Sequence, residues 1–149
     1  DSGGATEAYY TITTSYEVPT DSWRIRFKAP KSGKVEIQFL GKLVCTSGGA
    51  GNIDVFLGLS TGGNSSYSAV NAKYEKKVAE PDEDDNVMVA HSWYVDGLTA
   101  GTAYDYYVGT KVSSGSTSRW YYGGTDADQS PPIIIRAVTL PNTIPTTGS

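Results

Sequence analysis

Histidine, cysteine and methionine each occur only once in this chain of 149 residues, as His91, Cys45 and Met88. A lone cysteine excludes an internal disulfide, and with it a small disulfide-stapled scaffold. A lone histidine leaves few arrangements for acid–base or nucleophilic catalysis. The sequence also lacks a Gly-x-Ser-x-Gly elbow and a glycine loop that leads into a helix to hold phosphate. We therefore expect a protein that presents a surface, without a cofactor and without enzymatic activity.

Long apolar runs and clusters of basic residues are also missing. No apolar stretch approaches the roughly 20 residues that a membrane-spanning helix needs, so membrane insertion is not expected. The basic residues are scattered along the chain, which argues against nucleic acid as a partner. Because the sequence does not begin with methionine, we expect it to be a fragment or a processed product.

Acidic charge is concentrated in one segment of residues 80–85, which contains five carboxylates against a net charge of −4 for the chain. Clustered carboxylates can bind Ca²⁺, so Asp82, Asp84 and Asp85 are weak candidates for a metal site. The spacing does not match a twelve-residue calcium loop, and the required glycine is absent. A solvated loop is the favoured interpretation, with no metal bound.

Glycine and tyrosine are abundant, at 17 and 11 residues, and apolar side chains alternate with polar ones over many short segments. Residues 23–28, 35–45, 87–95 and 104–108 alternate in this way, and each is bounded by a turn signal. Residues 53–59 are more continuously apolar, which predicts a strand that is covered on both faces. Residues 67–78 suit an edge strand, and the most apolar strand runs from Ile133 to Leu140.

These segments predict an all-β protein with an antiparallel sandwich of eight to nine strands. Gly41 falls in the apolar phase of its strand and predicts a bulge or a close approach. Cys45 and His91 share the apolar phase of theirs, which predicts a buried thiol and a packed histidine. We expect an extended arm or linker at residues 1–20, one β domain at 21–144 and a flexible tail at 145–149.

Aromatic residues cluster in the C-terminal half of the chain in larger numbers than one thin core face needs. Because tyrosine and tryptophan combine a large apolar area with a polar group, they suit interfaces and sugar-stacking surfaces. We expect them to pack a subunit interface or to contact a ligand. The candidates are Trp93, Tyr94, Tyr104, Tyr106, Tyr107, Trp120, Tyr121 and Tyr122.

The segment Val95–Tyr104, with Asp96-Gly97-Leu98 and Gly101 ahead of Tyr104, resembles the corner of fibronectin type III domains. In that corner a tyrosine hydroxyl caps backbone groups at the sheet edge. The resemblance covers about ten residues. It implies a fibronectin type III-like sandwich as the alternative fold, and a secreted carbohydrate-binding or fibronectin-like module of a bacterial extracellular protein as the alternative function.

A second resemblance covers most of the chain. Residues 27–37, 91–101, 121–124 and 133–141 resemble the jelly-roll head domains of bacteriophage fibres, which are similar in fold to the tumour-necrosis-factor and complement trimers. The resemblance implies a jelly-roll homotrimer on a virion surface, at a tail-fibre or head-fibre tip or as a capsid decoration. Its implied partners are sister copies, other virion proteins and a host-cell glycan. Trimerisation would also supply stability to a chain without disulfides.

Overall fold

The computed structural model describes residues 8–47, 53–115, 117–123 and 132–141. This part of the chain forms nine strands and a single 3-10 turn at Ala72–Tyr74. The strands are β1 (Tyr9–Thr11), β2 (Arg24–Lys28), β3 (Val35–Ser47), β4 (Val55–Ser60), β5 (Lys76–Ala79), β6 (Asn86–Val95), β7 (Ala103–Val112), β8 (Thr117–Tyr121) and β9 (Ile134–Thr139). The prediction of an all-β protein with eight to nine strands is confirmed.

The first eight strands pair as one long hairpin that has been rolled up. β1 pairs with β8, β2 with β7, β3 with β6, and β4 with β5, all antiparallel. The rolled hairpin places β1-β8-β3-β6 in one sheet and β2-β7-β4-β5 in the other. This is the strand order of a jelly roll. In an immunoglobulin-like sandwich the first two strands share a sheet, whereas β1 and β2 lie in different sheets here, so the jelly roll describes the chain better than the fibronectin alternative.

β9 is an addition to the eight-stranded pattern. It pairs with the first half of β3, from Val35 to Leu40, while β8 pairs with the second half of the same edge, from Lys42 onward. The two strands thus complete one edge of the long strand β3 and give a five-stranded sheet opposite the four-stranded sheet.

The core lies between the two sheets and follows the two-residue period of the strands. Val35, Ile37, Phe39, Leu43 and Cys45 of β3 are all buried. Gly41 shares this inward face, and a Cβ there would overlap the Ile133 side chain, which confirms the predicted close approach. Each fully buried large apolar side chain contributes about 1.5–3 kcal/mol to folding.

Residues 8–20 form part of the sandwich and are not an extended arm. β1 lies within them, and both Ile12 and Val18 are buried. Glu17 forms a backbone bridge with Thr110 of β7. The prediction missed this segment because it packs against β7, which is distant in sequence. Such a long-range contact leaves little periodicity in the segment's own sequence. Residues 1–7 and the predicted tail at 145–149 lie outside the described residues.

Candidate functional site

Three of the eight predicted surface aromatics lie in the core of a single chain, which corrects their assignment. Trp93, Tyr106 and Trp120 are 3%, 6% and 0% exposed. The Trp93 Nε1–H donates to the Tyr74 carbonyl at 2.8 Å, and the Trp120 Nε1–H donates to the Thr110 hydroxyl at 2.9 Å. The indole N–H groups of the two tryptophans are satisfied inside the fold, and all three side chains pack in the core of the sandwich and present no surface.

Two further candidates belong to the four-stranded sheet. Tyr104 faces inward, stacks on Phe27 with ring centroids 5.7 Å apart, and accepts a hydrogen bond from the Thr99 N–H at 2.9 Å. This is the backbone-capping contact that the corner motif predicted. Tyr107 lies half-buried on the outer face, opposite Arg24 of β2. Neither residue forms part of an open aromatic surface.

The remaining three candidates lie in or beside the five-stranded sheet. Tyr94 is the most exposed of all eight, at 67%. Tyr121 is half-buried, with its ring 5.4 Å from that of Tyr9. Tyr122 follows β8 and packs partly against the core. The structure therefore does not bring the eight aromatics together.

The surface that the structure does assemble is the outer face of the five-stranded sheet. Strand register aligns Ile134, Leu40 and Ala90 in one row across β9, β3 and β6. Met88 lies in the next row on one side, and Tyr94 and Val138 lie two rows away on the other side, beyond the polar row of Gln38, Ser92 and Arg136. We call the set the apolar outer face: Leu40, Met88, Ala90, Tyr94, Ile134 and Val138.

Among the described residues, every exposed large apolar side chain belongs to this sheet. All seven that are exposed lie on strands of the five-stranded sheet, and none lies on the four-stranded sheet. Sequence analysis missed the apolar outer face because Leu40 shares the outward phase of β3 with the polar residues Gln38 and Lys42. The largely apolar sequence of β9, interrupted by Arg136, was the one available signal.

The acidic segment forms a turn beside the end of β3. The Asp85 carboxylate accepts a hydrogen bond from the Asp82 N–H at 2.8 Å, and Asp84 adopts a φ of 68°. In the described part of the chain, no group of three or more histidine, cysteine, aspartate or glutamate side chains is placed to hold a metal ion. Nor does that part contain a helix of the length and apolarity that a membrane crossing requires.

Comparison of the chain with protein-family models, with curated proteins and with solved structures finds no significant match. The interpretation of the site therefore depends on the geometry of the two sheets.

Proposed function

We propose that this chain is a non-enzymatic surface domain of a bacteriophage virion, at a fibre tip or as a capsid decoration, and that it assembles as a homotrimer through the apolar outer face. The jelly-roll fold supports the proposal, and so does the position of the motifs that resemble fibre heads. Residues 27–37 span the end of β2, its turn and the start of β3, and residues 133–141 contain β9.

The observation that carries the proposal is the one-sided distribution of exposed apolar side chains. A monomeric soluble protein rarely exposes a large contiguous apolar patch unless the patch binds something. Here Leu40, Ile134 and Ala90 lie side by side and Met88 lies in the adjacent row, while Val138 lies two rows away, beyond Gln38 and Arg136. Covering this face with protein removes its apolar area from water, at about 25 cal/mol per Å².

We infer that a second copy of the chain covers this face. Charges of both signs surround its apolar centre, and they can pair with their counterparts on an identical subunit. Glu36 and Lys42 of β3 share the outer face with Arg136 of β9, which is hydrogen-bonded to Gln38. Carboxylates and cations at the rim can pair across an interface between identical subunits. Most soluble oligomers are homo-oligomers with closed symmetry, and a trimer closes through such repeated contacts.

The single cysteine and the single histidine both pack within the fold. Cys45 is fully buried in the core. The His91 ring packs edge-on against Trp93, with centroids 4.7 Å apart. This placement supports a domain that binds and assembles.

Replacing an exposed alanine with lysine on one sheet or on the other tests the assembly. Ala90 and Ala103 are both exposed strand residues, the first on the apolar outer face and the second on β7 of the other sheet. We expect sedimentation equilibrium to give a trimer for the wild type and for Ala103→Lys. Ala90→Lys should give a monomer with an unchanged circular dichroism spectrum, because a buried unpaired lysine is costly.

A monomeric wild type at micromolar concentration, or a trimeric Ala90→Lys variant, would contradict the assembly. A monomer that binds glycans would instead favour a secreted carbohydrate-binding module. The virion location is tested by labelling intact phage particles with an antibody against the purified chain. Particles that carry the gene but no label would refute it.

A further inference from the structure

The two sheets leave an open groove where their edge strands face each other. β5 is the last strand of the four-stranded sheet, and β6 is the last strand of the five-stranded sheet. Between them lies a groove of about 420 Å³, lined by side chains of β5, of β6 and of the 3-10 turn before β5. This volume lies within the range of small-ligand sites in proteins, which is about 300–1,000 Å³.

Three lysines line this groove, and one of them has no ion-pair partner among the described residues. Lys73 forms an ion pair with Asp96 at 3.3 Å, and Lys77 forms ion pairs with Asp54 at 3.4 Å and Glu80 at 3.0 Å. Lys76, by contrast, takes part in no ion pair among the described residues. It lies opposite Leu57, a core residue of β4, so its register position is on the inward side of β5.

His91 lines the same groove from the opposite strand. It lies opposite Phe39, on the inward side of β6. Its Nε2 atom is buried and has no hydrogen-bond partner in the described part of the chain. Most buried polar atoms in proteins have a partner, so an unpaired one calls for an explanation.

Burial lowers the pKa of His91, and the positive charge of Lys76 lowers that pKa further. The imidazole is therefore neutral at pH 7, with one nitrogen that donates and one that accepts. Lys76 and His91 line the same groove from opposite strands. Together they offer one full positive charge beside one neutral hydrogen-bonding group.

We propose that the groove between β5 and β6 binds a carboxylate-bearing sugar, with its carboxylate on Lys76 and its ring beside the His91 side chain. Ser92 lines the same groove and supplies a hydroxyl. No arginine is among the described lining residues, and arginine is the residue favoured for planar, bidentate recognition of phosphate. The site requires only one subunit and does not depend on assembly.

The chain has one histidine, so ring signals in a histidine-selective NMR spectrum report on His91 directly. We expect N-acetylneuraminic acid or glucuronic acid to shift these signals saturably, and glucose to leave them unchanged. Lys76→Gln should weaken binding about tenfold, as for the loss of one charge-assisted hydrogen bond. Lys28→Gln, on the outer side of β2, is the matched control and should bind as the wild type does.

The proposal is overturned if neither acidic sugar shifts the His91 signals at millimolar concentration, or if Lys76→Gln binds as well as the wild type. Acetate or phosphate binding as tightly as the acidic sugars would show an unspecific anion site and would also overturn it. The oligomeric state of each sample is measured in parallel. A trimer that binds neither acidic sugar would refute only the ligand site. A monomer that binds an acidic sugar would refute only the assembly.

Discussion

The two outer faces of the sandwich differ in how they are covered. The four-stranded sheet is covered by its own chain, because Tyr16 and Tyr67 stack 4.7 Å apart over its outer side. The ring of Tyr67 occupies the space that side chains at Gly58 and Gly109 would take. The five-stranded sheet has no such cover among the described residues. This difference is the basis of the proposed assembly through the second face.

The cover over the four-stranded sheet is a half-buried, partly polar cluster. Lys111 places its ammonium 5.0 Å from the ring centres of Tyr16 and Phe56. On β1 of the other sheet, burial raises the pKa of Tyr10 to about 12, and the Glu17 carboxylate that accepts its hydroxyl hydrogen at 2.8 Å contributes to this rise. Burial likewise raises the pKa of Tyr67 far above its ordinary value. These tyrosines remain protonated throughout the physiological range and serve as packing groups.

The largest expected effect comes from removing the same side chain from each face. Tyr67→Ala should lower the free energy of unfolding by about 2–3 kcal/mol, somewhat less than a fully buried aromatic would. Tyr94→Ala, its match on the open face, should change the stability of a dilute monomer by no more than about 0.5 kcal/mol. Urea denaturation of both variants measures the difference. Equal losses would show that the two faces are not covered differently.

A smaller effect is expected from adding one methyl group beneath the cover. Gly109→Ala places a Cβ against the Tyr67 ring, and such overpacking costs about 1–3 kcal/mol. Gly115→Ala is the control, because nothing lies within 4 Å of a Cβ at that position. Thermal unfolding of the two variants compares them. A Gly109→Ala variant as stable as Gly115→Ala would mean that Tyr67 does not rest on β7.

The smallest effect concerns the exposed charges of the covered sheet. Arg26 forms a two-pronged contact with Asp105, with distances of 2.8 and 3.1 Å. The hydrogen bond from Arg26 lowers the pKa of Asp105. The stabilisation is present above the unfolded-state pKa of about 4 and is lost as the pH falls through the lower folded-state value. The melting temperatures of wild type and Asp105→Asn should therefore converge at acidic pH, and a gap independent of pH would contradict this assignment.

The local features of the fold were predictable from sequence because they depend on neighbouring residues. The two-sided burial of β4 follows from its continuous apolar run, and the contact of Tyr104 with the Thr99 N–H follows from the corner motif. The cover by residues 8–20 and the apolar outer face were not predictable. Both depend on which distant strands lie side by side, and that register is set by the whole fold. The inward direction of Trp120 was missed for the same reason.

Met88 reports whether the apolar outer face is accessible to solvent. Met88 is the single methionine and is 50% exposed in one subunit, so its oxidation by hydrogen peroxide follows its access to solvent. Mass spectrometry should show slow oxidation of the wild type at high protein concentration, and fast oxidation on dilution or in Ala90→Lys. Fast oxidation of the wild type at every concentration would contradict the claim that sister copies cover this face.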